Sequence, residues 1–118
     1  MPASTEPRSG LNYGWSLGES GWNAQMDANL LRLGRFGFHQ SVKDRDLTAP
    51  PGSPTAGDTY IVAASPTGAW AGKAGQVTLW DGAAWVFAAP RIGWLAYVED
   101  EEKLIAYKAA GWSAGVAM

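Results

Sequence analysis

Leu79-Trp80-Asp81-Gly82-Ala83-Ala84-Trp85-Val86-Phe87 is the stretch that decides the fold. Large apolar residues stand on both sides of an Asp-Gly pair, and Asp-Gly supplies the backbone freedom that a tight turn between antiparallel strands requires. Working outward, the same grammar recurs from Gly57 to Trp112. Thr59-Tyr60-Ile61-Val62-Ala63 is β-branched and aromatic, and Gln76-Val77-Thr78-Leu79-Trp80 leads into the Asp-Gly turn. Trp85-Val86-Phe87-Ala88 returns, and Pro90 stops it. Gly93-Trp94-Leu95-Ala96-Tyr97-Val98 and Lys103-Leu104-Ile105-Ala106-Tyr107 flank the acidic run Glu99-Asp100-Glu101-Glu102. That run reads as a solvated hairpin tip, since it lacks the glycine-punctuated spacing of a calcium loop. Trp80 precedes Trp85 by five residues and Tyr107 precedes Trp112 by five, so two hairpins of the same make are expected. The reading is mainly β: about six short antiparallel strands over residues 58–118, forming a small antiparallel sheet or barrel-like domain of short hairpins.

Upstream, the grammar changes. Residues 1–10 are polar and broken by Pro2, Pro7 and Gly10, which predicts disorder unless a partner holds them. Leu11-Asn12-Tyr13-Gly14-Trp15-Ser16-Leu17-Gly18 is aromatic but glycine-interrupted, so residues 1–19 read as an extended or disordered arm. Ser20 is a suitable N-cap, and Trp22, Met26, Leu30 and Leu33 then recur at spacings of four, four and three, one apolar face of a helix over residues 20–38. Leu31 widens that stripe. An isolated helix of this length is marginal in water and has to pack on something. That can be its own β body, or the matching stripes of three or so copies around a shared axis. Residues 39–57 carry Pro50, Pro51 and Pro54 and read as an extended connector.

Composition narrows the function. Nine basic and eleven acidic residues give a net charge of −2, too balanced for the basic patch of a nucleic-acid or anionic-membrane partner. There is no cysteine, hence no disulfide framework and no thiolate metal site. No stretch reaches the ~20 apolar residues of a membrane-spanning helix, and the first ten residues have no apolar core that would make a secretory signal. Gly makes up 15 of 118 residues, about twice its usual share, so many turns are expected.

Reactive groupings are sparse. His39, the one histidine, follows Phe36 and Phe38 with no second metal ligand beside it. Asp44 and Asp46 could serve as an acid/base pair, but Lys43 and Arg45 alternate with them, which favours solvated ion pairs. No Gly-x-Ser-x-Gly, P-loop or dinucleotide pattern occurs. No catalytic, cofactor-binding or metal residue is therefore expected, and no enzyme. Trp80, Trp85, Tyr107 and Trp112 have the chemistry of a sugar-stacking platform, although a small domain also uses indoles to fill its core.

Four segments in order, Lys43-Asp44-Arg45-Asp46-Leu47-Thr48-Ala49-Pro50-Pro51, Gly57-Asp58-Thr59-Tyr60-Ile61-Val62, Gly68-Ala69-Trp70-Ala71-Gly72 and Gly93-Trp94-Leu95-Ala96-Tyr97-Val98, carry a resemblance. So does Trp80-Asp81-Gly82-Ala83-Ala84-Trp85-Val86-Phe87. The chain resembles the domain of unknown function found in tail-fibre, spike and head-fibre proteins of tailed bacteriophages and gene transfer agents, over roughly residues 15–115. The resemblance implies a non-enzymatic virion component, made in the bacterial host cytoplasm, forming a homotrimer and seated on other virion proteins through its N-terminal segment. Relatives often continue past the final Gly-x-Trp, whereas here Ser113 to Met118 follow it, which leaves the roles of fibre base, head fibre or decoration, and adaptor. On this reading Tyr13, Trp15, Trp22, Met26, Leu30 and Leu33 make the oligomer or virion contact. The alternative is a small carbohydrate-binding module acting through Trp80, Trp85, Tyr107 and Trp112, with host surface glycan as its partner. Neither reading calls for nucleic acid or membrane insertion.

Overall fold

The computed structural model describes residues 4–37 and 40–118. The chain divides between residues 38 and 39 into two compact units. Phe38 and His39 lie outside the described residues, and with them the reading of His39 as a ring without metal partners.

The N-terminal unit is a small hairpin and a helix. Strand β1 (Ser4–Thr5) pairs antiparallel with β2 (Asn12–Tyr13). The turn between them is closed by the Glu6 carboxylate, which accepts the backbone N–H groups of Arg8 and Ser9. Its carboxyl lies below the ordinary carboxylate range, chiefly because of its hydrogen bonds with Ser9. Residues 4–10, read from the sequence as disordered unless a partner holds them, are thus closed into a hairpin by their own turn chemistry. Helix α1 (Trp22–Arg32) begins at Gly21, in the left-handed region at φ 82°, with no side-chain cap, so Ser20 does not serve as N-cap. It ends in a wider π turn, Leu33–Gly37.

The second unit is the β body. Strands β3 (Ser41–Val42), β4 (Thr59–Ile61), β5 (Val77–Trp80), β6 (Trp85–Ala88), β7 (Leu95–Val98), β8 (Lys103–Lys108), β9 (Gly111–Trp112) and β10 (Val116–Ala117) follow in order. They form two sheets. One is the meander β4-β5-β6; the other runs β10-β8-β7-β3, with β9 also on β8. The strands number more than the six expected, because the connector and the tail each contribute one. The sheet is mixed rather than purely antiparallel, since β3 lies parallel to β7 with Ser41 opposite Tyr97 and Val42 opposite Val98.

The Pro-rich connector is bonded into the body over residues 40–48. After β3 bonds to β7, the chain passes to the other sheet, where the Lys43 N–H donates to the Thr59 carbonyl and the Ile61 N–H to the Asp44 carbonyl. Ala63 and Thr67 then donate to the carbonyls of Leu47 and Thr48. The segment Lys43 to Thr48 therefore joins the two sheets by its backbone. Pro50 and Pro51 come only after these bonds end, where no ladder donor is needed.

The core of the meander is aromatic. Trp70, from the short 3₁₀ turn Gly68–Trp70, is fully buried among Tyr60, Val62, Leu47, Trp85 and Phe87. Its ring lies 5.2 Å from Trp85 at 81° and 5.7 Å from Tyr60 at 49°, the tilted arrangements that aromatic quadrupoles favour. Val42, Val77, Val98 and Ile105 are buried, as strand residues with alternating inward faces should be.

Candidate functional site

In the N-terminal unit the helix buries a polar side chain. Gln25, Asn29 and Arg32 are spaced four and three apart and form a second stripe beside Trp22, Met26 and Leu33. Asn29, 8% exposed, lies against the edge of β2. Its Oδ1 accepts the Asn12 N–H at 2.7 Å, and its Nδ2 donates to the Asn12 carbonyl at 2.9 Å. One amide thus pairs with both backbone groups of residue 12, as a neighbouring strand would. Arg32 fastens the other end of the hairpin by donating from Nε to the Ser9 carbonyl.

Because the hairpin sits on the polar stripe, the apolar one is left to the outside. Trp22 is 51% exposed, Leu30 59% and Leu31 51%, and Tyr13 and Leu17 are also exposed. Met26, Leu33 and Trp15 are half-buried. The Trp15 indole N–H is shielded from water with no hydrogen-bond partner among the described residues. The six residues expected to make an intermolecular contact therefore all lie in one unit, three of them at least half exposed. Leu17 and Leu31 add apolar surface to it.

The two aromatic hairpins are formed as the spacing predicts. Trp80 lies opposite Trp85 across β5–β6, and Tyr107 opposite Trp112 across β8–β9. The first turn is a four-residue loop rather than a two-residue Asp-Gly turn. In it, Asp81 Oδ1 accepts the N–H groups of Ala83 and Ala84, and the Asp81 N–H donates to the Ala84 carbonyl. All four rings are half-buried. Within each pair the planes are crossed, at 58° for Trp80–Trp85 and 70° for Tyr107–Trp112. Trp85 also packs on Trp70, and Trp112 Nε1 donates to the Gly75 carbonyl at 2.9 Å. Neither pair offers two coplanar faces to a sugar; both tie hairpins to the body.

At the β7–β8 tip, carboxylate oxygens of Asp44, Asp46 and Asp100 lie within 4.8 Å of one another. This is the one grouping among the described residues able to offer a cation several oxygens. Asp46 and Asp100 are exposed, and Asp44 Oδ1 already accepts the Asp46 N–H at 2.7 Å. Desolvation, and then the neighbouring Asp44 and Glu101, raise the Asp100 carboxyl above its ordinary range.

Beside them, the Arg45 side chain donates four hydrogen bonds. Its Nε and Nη2 grip both oxygens of Glu101 at 2.9 and 2.8 Å, while Nη1 and Nη2 donate to the carbonyls of Ser113 and Ala114. The Arg45 fork is the main reason that the Glu101 carboxyl lies below its ordinary range. Fifty-six residues separate the two, and nothing local in the sequence links them.

A family model described as a protein of unknown function, DUF2793, matches residues 26–113. No curated protein and no solved structure matches the chain.

Proposed function

We propose, for a chain that belongs to the DUF2793 family of proteins of unknown function, a non-enzymatic structural role. It is a component of a bacteriophage or phage-like particle that self-associates and docks through its N-terminal unit. The observation that carries this reading is the inversion in that unit, where Asn29 is buried and Trp22, Leu30 and Leu31 are about half exposed. A helix that turns indole and leucine to water while hiding an amide lacks the partner its apolar side requires. The motifs from Lys43 to Val98 support the phage assignment. Three copies are the favoured stoichiometry and other virion proteins the further partners, with the particle itself as the location. Fibre base, head fibre or decoration, and adaptor are the roles it could fill there.

Light scattering on Leu30→Asp tests the assignment. The charge should yield a species of lower mass than the unsubstituted chain, and an unchanged mass would contradict it. Glycan binding is the weaker reading, because the crossed rings of Trp80–Trp85 and Tyr107–Trp112 do not make a platform. Tryptophan quenching by oligosaccharides would revive it.

A further inference from the structure

The tail after Trp112 is attached differently from everything else in the β body. Residues 111–117 run antiparallel along the outer edge of β8, but the register slips by one. Trp112 faces Tyr107, whereas Val116 faces Leu104 and Ala117 faces Lys103. The extra residue makes a bulge at Ala114–Gly115, and a bulge turns backbone groups out of the ladder. Arg45 meets two of them, the carbonyls of Ser113 and Ala114, at 2.8 and 2.9 Å. Gly115, at φ 101°, sits so close that a Cβ there would come within 2.8 Å of Ile105 Cγ2 and 3.2 Å of the Leu104 carbonyl.

Apolar burial contributes little to this attachment, since Val116 and Met118 are both more than two-thirds exposed. What remains is the pair of bonds between Ser113 and Ala106 (Ser113 N–H to the Ala106 carbonyl, Ala106 N–H to Ser113 Oγ), the two-residue ladder, the Met118 N–H on the Glu102 carbonyl, and the Arg45 fork. The fork is in turn aimed by Glu101. At 18% and 21% side-chain exposure, the pair is shielded enough for its geometry to matter.

We infer that residues 113–118 form a releasable strap, held on β8 by the Arg45–Glu101 pair and able to detach while the rest of the β body stays folded. Arg45 is a positioning residue in this device. One guanidinium links the sheet-joining segment, the β7–β8 tip and the tail, so its fork adds the charge-assisted bonds to an otherwise short backbone attachment over the outer edge of β8 at Lys103–Ile105. Strap release uncovers that edge and the flank of Ile105, both otherwise closed.

Hydrogen exchange on the full chain tests it, comparing the peptide 113–118 with the body peptide 77–88 in Arg45→Lys and Glu101→Gln. Arg45→Lys keeps the charge and loses the fork; Glu101→Gln keeps the shape and loses the charge. Either should speed exchange in 113–118 by about tenfold or more, the effect of losing a charge-assisted hydrogen bond, with 77–88 unchanged. Equal acceleration in both peptides would mean that the tail unfolds only with the body and would overturn the inference. Unchanged exchange in 113–118 would overturn it as well.

Discussion

The two units of this chain solve the burial problem in opposite ways. The β body closes a core in which Trp70, Val77, Val98 and Ile105 are essentially out of water, leaves Ile92, Leu95, Leu104, Val116 and Met118 exposed around it, and shows its acids at a hairpin tip. The N-terminal unit hides Asn29 and shows Leu17, Trp22, Leu30 and Leu31. Among its described residues, Phe36 is the one buried large apolar side chain. A body of some eighty residues can close a core, whereas a hairpin and one helix cannot. The polar stripe of that helix holds the arm, which leaves Trp22, Leu30 and Leu31 exposed. On the proposed reading a partner finishes the first unit, while the second closes its own core.

The sharpest way to break this contrast is at Trp70. Trp70→Ala removes the ring around which Tyr60, Val62 and Trp85 pack and should cost about 3–5 kcal/mol in urea unfolding of the β body. A loss below about 1 kcal/mol would mean that the aromatic cluster is not its core. Asn29→Ala probes the other unit. It strands the backbone groups of Asn12 against the helix and should cost about 1–3 kcal/mol of local stability, read as faster amide exchange at Asn12 with peptide 77–88 unaffected. Smaller still is Glu102→Gly at the β7–β8 tip, where Glu102 stands in the left-handed region at φ 53°. Relieving that strain should raise stability by roughly 1 kcal/mol.

Acidity sharpens the comparison within the tip itself. Glu101 has a lowered carboxyl pKa, so its contribution is present above the ordinary glutamate value and is lost as pH falls through the lower folded value. Asp100 is raised, so the sign reverses: its favourable share exists at low pH and disappears as pH rises through the folded value. Asp100→Asn should accordingly stabilise the β body at neutral pH, with the gain shrinking toward acid. Glu101→Gln should destabilise at neutral pH and converge on the parent below the usual carboxylate range. Urea midpoints across pH check both.

What could be read from the sequence follows the range of the interaction. The paired hairpins were visible because five-residue aromatic spacing and turn residues are local signals, and the helix was visible from its stripe. The N-cap falls at Gly21, one residue past Ser20, because Gly21 supplies a left-handed entry without a side-chain cap. The segment Lys43 to Thr48 looked like a linker because its backbone partners, Thr59 to Thr67, lie downstream and its own side chains do not alternate. Trp70 appeared only as part of a glycine turn, although it is the centre of the core. The convergence of Arg45, Glu101 and the tail, like that of Asp44, Asp46 and Asp100, depends on long-range topology that no window of the sequence contains. The arm-facing role of Asn29 had a faint signal in the polar spacing of Gln25, Asn29 and Arg32, which a search for apolar stripes passes over.

Solution mass of the full chain tests most directly whether the N-terminal unit is completed by partners. An assembly at a multiple of the 12.5 kDa of one chain is expected, three copies being favoured. A single stable species at 12.5 kDa across the accessible concentration range, with Trp22 and Leu30 remaining open to water, would contradict it.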